Sequence, residues 1–241
     1  MSRLADLGIA RVRAHNPSPM TLTGTNTWVV GRDPAWVVDP GPSLPEHLDA
    51  VAAEVAARGG AGGVALTHDH ADHTAGARAL ADRLGAPLAA SHGADVTLGD
   101  GDSFGPFAVL AVPGHADDHL VLVAGPAAFT GDAVLGEGSV FVSGRLREYL
   151  AGLRRLRELP LEVLCPGHGD EVWDPAAKLD EYLAHRAMRE RRLVAALDAG
   201  VRGEDALLDA AWPDAPPAVR GFAALSLRAH LEKLREEGRS V

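Results

Sequence analysis

The ten residues Thr67-His68-Asp69-His70-Ala71-Asp72-His73-Thr74-Ala75-Gly76 constrain this chain more than any other stretch. Four donors, His68, His70, Asp72 and His73, fall within six consecutive positions. Imidazole and carboxylate are the ligands that borderline-hard divalent cations prefer, so this density suits one or two such ions. The preceding Gly63 to Thr67 is a short apolar run of strand type, and Ala75 to Leu84 repeats apolar residues at helical spacing. The donors therefore belong on a tight turn between a strand and a helix, where adjacent side chains point to different sides and can serve two ions.

Matching donors recur downstream: His115 in Val112-Pro113-Gly114-His115, Asp132 in Phe129-Thr130-Gly131-Asp132, and His168 in Cys165-Pro166-Gly167-His168-Gly169. Each follows a β-prone run, so each is expected at a strand end, where several such ends can converge on one rim. The single cysteine, Cys165, leaves no thiolate zinc site and no intramolecular disulfide, and reads as a small buried residue at a strand end.

Together with Asp39 in Val37-Val38-Asp39-Pro40-Gly41, these segments resemble, in order, the five motifs of the metallo-β-lactamase-fold hydrolases, from about Leu22 to Gly169. The resemblance implies an α/β fold, an αββα sandwich, holding two Zn2+ ions, with other divalent metals possible. It implies His68, His70 and His115 on the first ion, Asp72, His73 and His168 on the second, and Asp132 bridging both. Asp39 is similar to the aspartate that accepts a hydrogen bond from a ligating histidine and fixes its orientation. Asp132 and Asp72 are the expected catalytic carboxylates, and His119, in Ala116-Asp117-Asp118-His119, resembles a proton-donating or supporting position. His92 and His47 are expected to be ordinary loop and surface histidines.

With 241 residues and 46% hydrophobic composition, the chain can build a sizeable core. Asn26 to Val30 and Trp36 to Asp39 read as antiparallel strands around a turn, Pro45 to Arg58 as a helix, and Arg145 to Leu159 as an amphipathic helix. Gly59-Gly60 and Gly62-Gly63 read as a helix stop and a turn. Residues 1–174 are expected to form the hydrolase domain. Three helices in 175–241 resemble the winged-helix-like module of the beta-lactamase-like protein 2 branch, as do Gly24-Thr25-Asn26-Thr27, Gly131 to Phe141, and His185-Arg186 with Arg189-Glu190. No apolar run reaches the roughly 18 residues of a membrane span or the form of a signal peptide, so a cytoplasmic location is expected.

The branch resemblance implies an endoribonuclease or other phosphodiesterase acting on single-stranded RNA. The runner-up is a thioesterase of the glyoxalase II or carrier-protein kind. An iron persulfide dioxygenase and a non-catalytic RNA-binding protein rank below both. In either leading case two cations supply a bridging hydroxide at neutral pH and polarise the attacked centre. Charge bears on the substrate: a net charge of −10 disfavours long-range attraction to RNA, and 5% aromatic residues offer few stacking platforms. Against this, Arg145, Arg147, Arg154, Arg155, Arg157, Arg186, Arg189, Arg191 and Arg192 cluster late in the chain, as a phosphate track or as ordinary surface ion pairs. No Gly-x-Ser-x-Gly elbow or phosphate-cradling Gly-x-x-x-x-Gly-Lys loop is present.

Overall fold

Residues 3–240 are described by the structure, a computed structural model. A short helix α1 (Arg3–Asp6) leads into the first sheet, whose strands lie in chain order: β1 (Ile9–Arg13), β2 (Asn26–Val30), β3 (Ala35–Val38), β4 (Ala61–Ala65), β5 (Leu88–Ala90) and β6 (Val96–Thr97). Helices α2 (Pro45–Ala56), α3 (Ala71–Thr74) and α4 (Ala77–Leu84) connect its parallel part. The second sheet runs β11-β10-β9-β8-β7, built from β7 (Ser103–Phe104), β8 (Phe107–Ala111), β9 (Leu120–Ala124), β10 (Ala127–Gly131) and β11 (Val163–Pro166). Between β10 and β11 lies α5 (Leu146–Arg157), and after β11 come α6 (Pro175–Asp198), α7 (Glu204–Ala211) and α8 (Arg220–Glu236).

Strand alternation sets the layers. Trp28, Val30 and Val38 point from the first sheet toward Phe107, Leu122 and Phe129 of the second, forming the central core. Their neighbours Val29, Val37 and Val64 face outward under α2 and α4, and Val121, Ala128 and Leu164 face outward under α5. The result is the expected αββα sandwich. Phe129 meets Trp28 and Phe107 edge-on at 6.1 and 5.7 Å. Each such fully enclosed aromatic contributes about 1.5–3 kcal/mol relative to exposure.

Two expectations need correction, and one strand had no expectation attached to it. Ile9–Arg13, unassigned from sequence, is an edge strand paired antiparallel with β2. Gly62-Gly63 is not a turn but part of β4, where a Cβ would come within 2.6 Å of Trp36 at the first position and of Phe104 at the second. His47 is not exposed: the first turn of α2 docks on the Asp39–Gly41 loop, leaving the ring 5% exposed, with Nε2 hydrogen-bonded to Thr27 Oγ1 at 2.8 Å. The last three helices carry a further core around Leu193, Leu208, Trp212 and Leu227. Helix α6 joins both parts, since its Leu179 and Tyr182 pack with α5. Among the described residues, no helix is long and apolar enough to cross a membrane.

Candidate metal centre

Two parallel strand pairs aim the donors at one rim. Val38 pairs with Ala65 and Gly131 with Pro166, so Asp39 emerges beside Thr67 and Asp132 beside His168. The rim is stitched across the sheets: Leu120 N donates to Thr67 O at 2.7 Å, Asn26 N to Gly167 O at 2.8 Å, and the Asn26 side chain to Pro166 O and Gly169 O. This gives the Gly24-Thr25-Asn26-Thr27 segment a physical role, because it ties the first sheet to the loop that carries His168.

All seven predicted ligands meet there. His70 Nδ1 lies 3.0 Å from both His68 Nε2 and His115 Nε2. His73 Nε2 lies 3.3 Å from His168 Nε2, which is 3.1 Å from Asp72 Oδ2. The Asp132 carboxylate stands between the groups, 3.5 Å from His73 Nε2 and 3.6 Å from His115 Nε2. Sets of ligand atoms within 4.8 Å of one another can therefore be drawn as His68–His70–His115, His68–His73–Asp132 and Asp72–His73–His168.

The donor chemistry fits cations. Asp132 Oδ1 is buried with no hydrogen-bond partner, and among the described residues no lysine or arginine pairs with Asp39, Asp72 or Asp132. Burial works to raise the Asp132 and Asp72 carboxyls, yet the imidazoles of His73 and His168 around them hold both below the usual range. Burial likewise depresses His168, but hydrogen bonds to the same two carboxylates override it and drive its pKa upward. Ionised carboxylates facing one another through imidazoles call for positive charge among them. Burial also lowers His115 to about 4, which keeps that ring neutral and its lone pair free to ligate.

Behind the ligands stands an orienting layer. Asp39 Oδ2 accepts from His73 Nδ1 at 2.9 Å and from Thr67 Oγ1 at 2.7 Å, and Oδ1 accepts from Thr67 N at 2.8 Å. Because the Thr67 hydroxyl proton is spent on Asp39, its oxygen accepts from His68 Nδ1 at 3.0 Å, leaving His68 Nε2 to face the other donors. Asp39 thus fixes two rings, one of them through Thr67, a residue the sequence reading passed over although it directly precedes His68. His119 is fully enclosed, stacked on His68 at 4.7 Å, and its Nε2 accepts the Asp132 amide at 3.1 Å; burial lowers it to about 3. A ring so placed steadies the Asp132 backbone. His92 stands outside the centre, 3.7 Å from Asp118.

A cleft opens on His115 and Asp132. Of about 340 Å³, it has His115 and Asp132 at its base and Leu135, Phe141, Trp212, Val219, Phe222 and Ala223 among its walls. Phe141 lies 4.7 Å from the His115 ring and stacks on Phe222 of α8 at 4.9 Å. Among the described residues the exposed large apolar side chains, Met20 and Val219, both border this cleft.

The model of the metallo-beta-lactamase superfamily matches residues 20–111 and 93–168. The chain belongs to the metallo-β-lactamase superfamily. A beta-lactamase associated winged helix domain matches residues 204–241, so this superfamily member carries a C-terminal winged-helix domain, and that domain supplies Trp212 and Phe222 to the cleft. A beta-lactamase-like protein 2 homolog of Caenorhabditis elegans is 30% identical, covering 99% of this chain and 87% of the relative. The atrochrysone carboxyl ACP thioesterase of Aspergillus chevalieri is 35% identical over 78% of this chain and 65% of its own length. Among solved structures, a metallo-beta-lactamase family protein from Thermus thermophilus superposes with a TM-score of 0.75 at 24% identity, covering 96% of this chain and 94% of that one. The protein is accordingly a metal-dependent hydrolase of this superfamily.

Proposed function

We propose that the protein is a dinuclear zinc thioesterase, with His68, His70 and His115 holding one ion, Asp72, His73 and His168 the other, and Asp132 shared between them. Residues 1–174 then form the hydrolase part and the helices after it the wall of its substrate cleft. The observation that carries this reading is the character of that cleft: apolar and aromatic side chains lead directly to His115 and Asp132. Such a surface accepts an acyl group; the basic side chains beside it, His185, Arg186 and Arg189, are too few for an extended phosphate track, and Arg189 is already paired with Asp214.

The arginines expected as a phosphate track point the same way. Arg155 is paired with Asp100, Arg157 with Asp180, Arg145 with Glu148 and Arg147 with Glu236. A relative at 35% identity bears the name of an ACP thioesterase, which favours the thioester reading over the RNA reading that ranked first from sequence.

Two bound cations would lower the pKa of a water toward neutrality and polarise the thioester carbonyl. The remaining work falls to the chain. The Asp132 carboxylate, ionised and steadied through its amide by His119, orients the attacking water. Phe141 and Phe222 hold the acyl group and exclude bulk water from the reacting carbon. The leaving thiol has a pKa of about 8.5 and departs as thiolate without a proton donor, whereas the alkoxide released from RNA is far more basic. A site whose buried His119 is occupied in support suits the first departure better.

The test is to incubate zinc-loaded protein with acyl-thioesters of graded chain length and, in parallel, with labelled single-stranded RNA. Thioester hydrolysis that improves with chain length, and that is largely lost in a folded Asp132→Ala variant, is the expected result. RNA cleavage without thioester hydrolysis would overturn the reading.

A further inference from the structure

A buried guanidinium without a carboxylate stands in the cleft wall. Arg186, on α6, is 2% exposed and lines the cleft together with Phe141 and Ser226. Its Nη2 donates to Val140 O and, at 3.3 Å, to Ser139 Oγ, while its buried Nε has no hydrogen-bond partner. The groups that bear on its charge are the phenols of Tyr149 and Tyr182 and the like-charged Arg189. Among the described residues no carboxylate lies within ion-pairing distance of it: Asp214 is held by Arg189 in a two-pronged pair and approached by Arg192 at 3.6 Å. Glu137, exposed at the cleft, forms no ion pair with it.

A guanidinium taken out of water without a counter-charge is costly, and the cost is relieved when an anion is brought to it. Its planar fork of donors matches a carboxylate or phosphate, and here Nε remains without a partner in the wall of a cleft that also carries apolar side chains and the Asp214-paired Arg189. We propose that Arg186 binds an anionic oxygen group of the substrate, either a carboxylate at the far end of the acyl chain or a phosphate on the thiol-bearing arm. The substrate class in this statement rests on the thioesterase reading. A purely structural role is the competing account, since Arg186 also anchors Val140 and thereby the neighbouring Phe141. The two accounts separate cleanly: anchoring serves all ligands alike, and anion binding discriminates among them.

Isothermal calorimetry on the zinc-loaded protein tests this with two matched pairs of ligands, suberate against octanoate and phosphopantetheine against pantetheine. The member carrying the extra anion is expected to bind roughly tenfold to a hundredfold tighter, the range of a charge-assisted hydrogen bond. That advantage should vanish in Arg186→Gln and fall in Arg186→Lys, which keeps the charge but loses the fork. A preference within the suberate pair assigns the anion to the acyl chain, and one within the phosphopantetheine pair assigns it to the thiol arm. Equal binding within both pairs by the wild-type protein, or a preference unchanged in Arg186→Lys, overturns the proposal even if the glutamine variant does not fold. Absence of any thioester hydrolysis would sink the thioesterase reading and leave this binding comparison intact.

Discussion

Replacing Gly167 by alanine tests the centre with a single methyl group. The new Cβ would lie 2.5 Å from His73 Cε1, 2.7 Å from Asp132 Oδ1 and 3.2 Å from the Gly131 carbonyl carbon. Gly167 does not occupy the left-handed backbone region, so the perturbation is steric and not conformational. Relief to ordinary contact moves the His73 ring by about 0.9 Å, and metal-ligand distances tolerate only about 0.2 Å. The affinity of the site that shares His73 should therefore fall by at least the 10–100-fold seen when ligand orientation is disturbed. The fold should survive, because overpacking of this size costs about 1–3 kcal/mol against a domain stability of about 5–15 kcal/mol. Competition with a chromophoric zinc chelator measures the first quantity and urea unfolding the second. Wild-type affinity for two zinc ions in the folded variant would refute the claim that His73 and Asp132 ligate from beside Gly167.

Two further outcomes follow from neighbouring networks. Asp39→Asn keeps the shape but removes the carboxylate that holds both His73 and, through Thr67, His68; zinc affinity should drop about 10–100-fold, and adding Thr67→Val should cost less than its separate effect because both act on one chain of hydrogen bonds. Full additivity in the chelator assay would show the two residues to be independent. Away from the metals, Glu190 on α6 accepts from His230 Nδ1 at 3.3 Å and Lys233 Nζ at 2.9 Å on α8, and the His230 hydrogen bond leads in holding its carboxyl at about 2 against an ordinary 4.5. A depressed carboxyl stabilises the fold fully above its unfolded pKa and loses that contribution as pH falls toward the folded one, here between 4.5 and about 2, with at most about 3 kcal/mol at stake. Burial keeps His230 neutral, and the loss of that preference on acidification has the same sign. Urea unfolding at pH 7 and pH 3 should therefore show a smaller acid loss in Glu190→Gln than in wild type, and equal losses would remove Glu190 as the cause.

Much of the centre is written in short segments. A histidine or aspartate directly after a β-prone run must sit at a strand end, so His68, Asp132 and His168 could be placed before the sheets were seen, and the parallel registers then bring their strands side by side. What stayed illegible depends on residues meeting from far apart. His47 looks like a surface residue on its helix until α2 docks on the Asp39–Gly41 loop. Gly62-Gly63 looks like a turn until Trp36 from the adjacent strand lies across it. The late arginines count as nine positive charges in the sequence, yet Asp100, Asp180 and Asp214 reach several of them from other elements and turn a supposed track into ion pairs.

The same distinction explains why reaction and substrate are not equally readable. The rim, built from strand ends, supplies chemistry that serves a thioester and a phosphodiester alike, since both require an activated water and a polarised centre. The cleft above it is assembled from Met20, from Phe141 on the loop after β10, and from Trp212 and Phe222 of the C-terminal helices. Only Phe141 lies in a segment with a recognisable pattern, Gly131 to Phe141, and the others are ordinary apolar side chains in their own segments. Their joint meaning arises where Phe141 is gripped, by Phe222 stacking on it, by Arg186 bonding Val140 on one side, and by Ser226 accepting the Val142 amide at 3.0 Å on the other. The C-terminal helices thus fix the loop that rests on His115, so the walls of the cleft are held in register with the candidate metal centre.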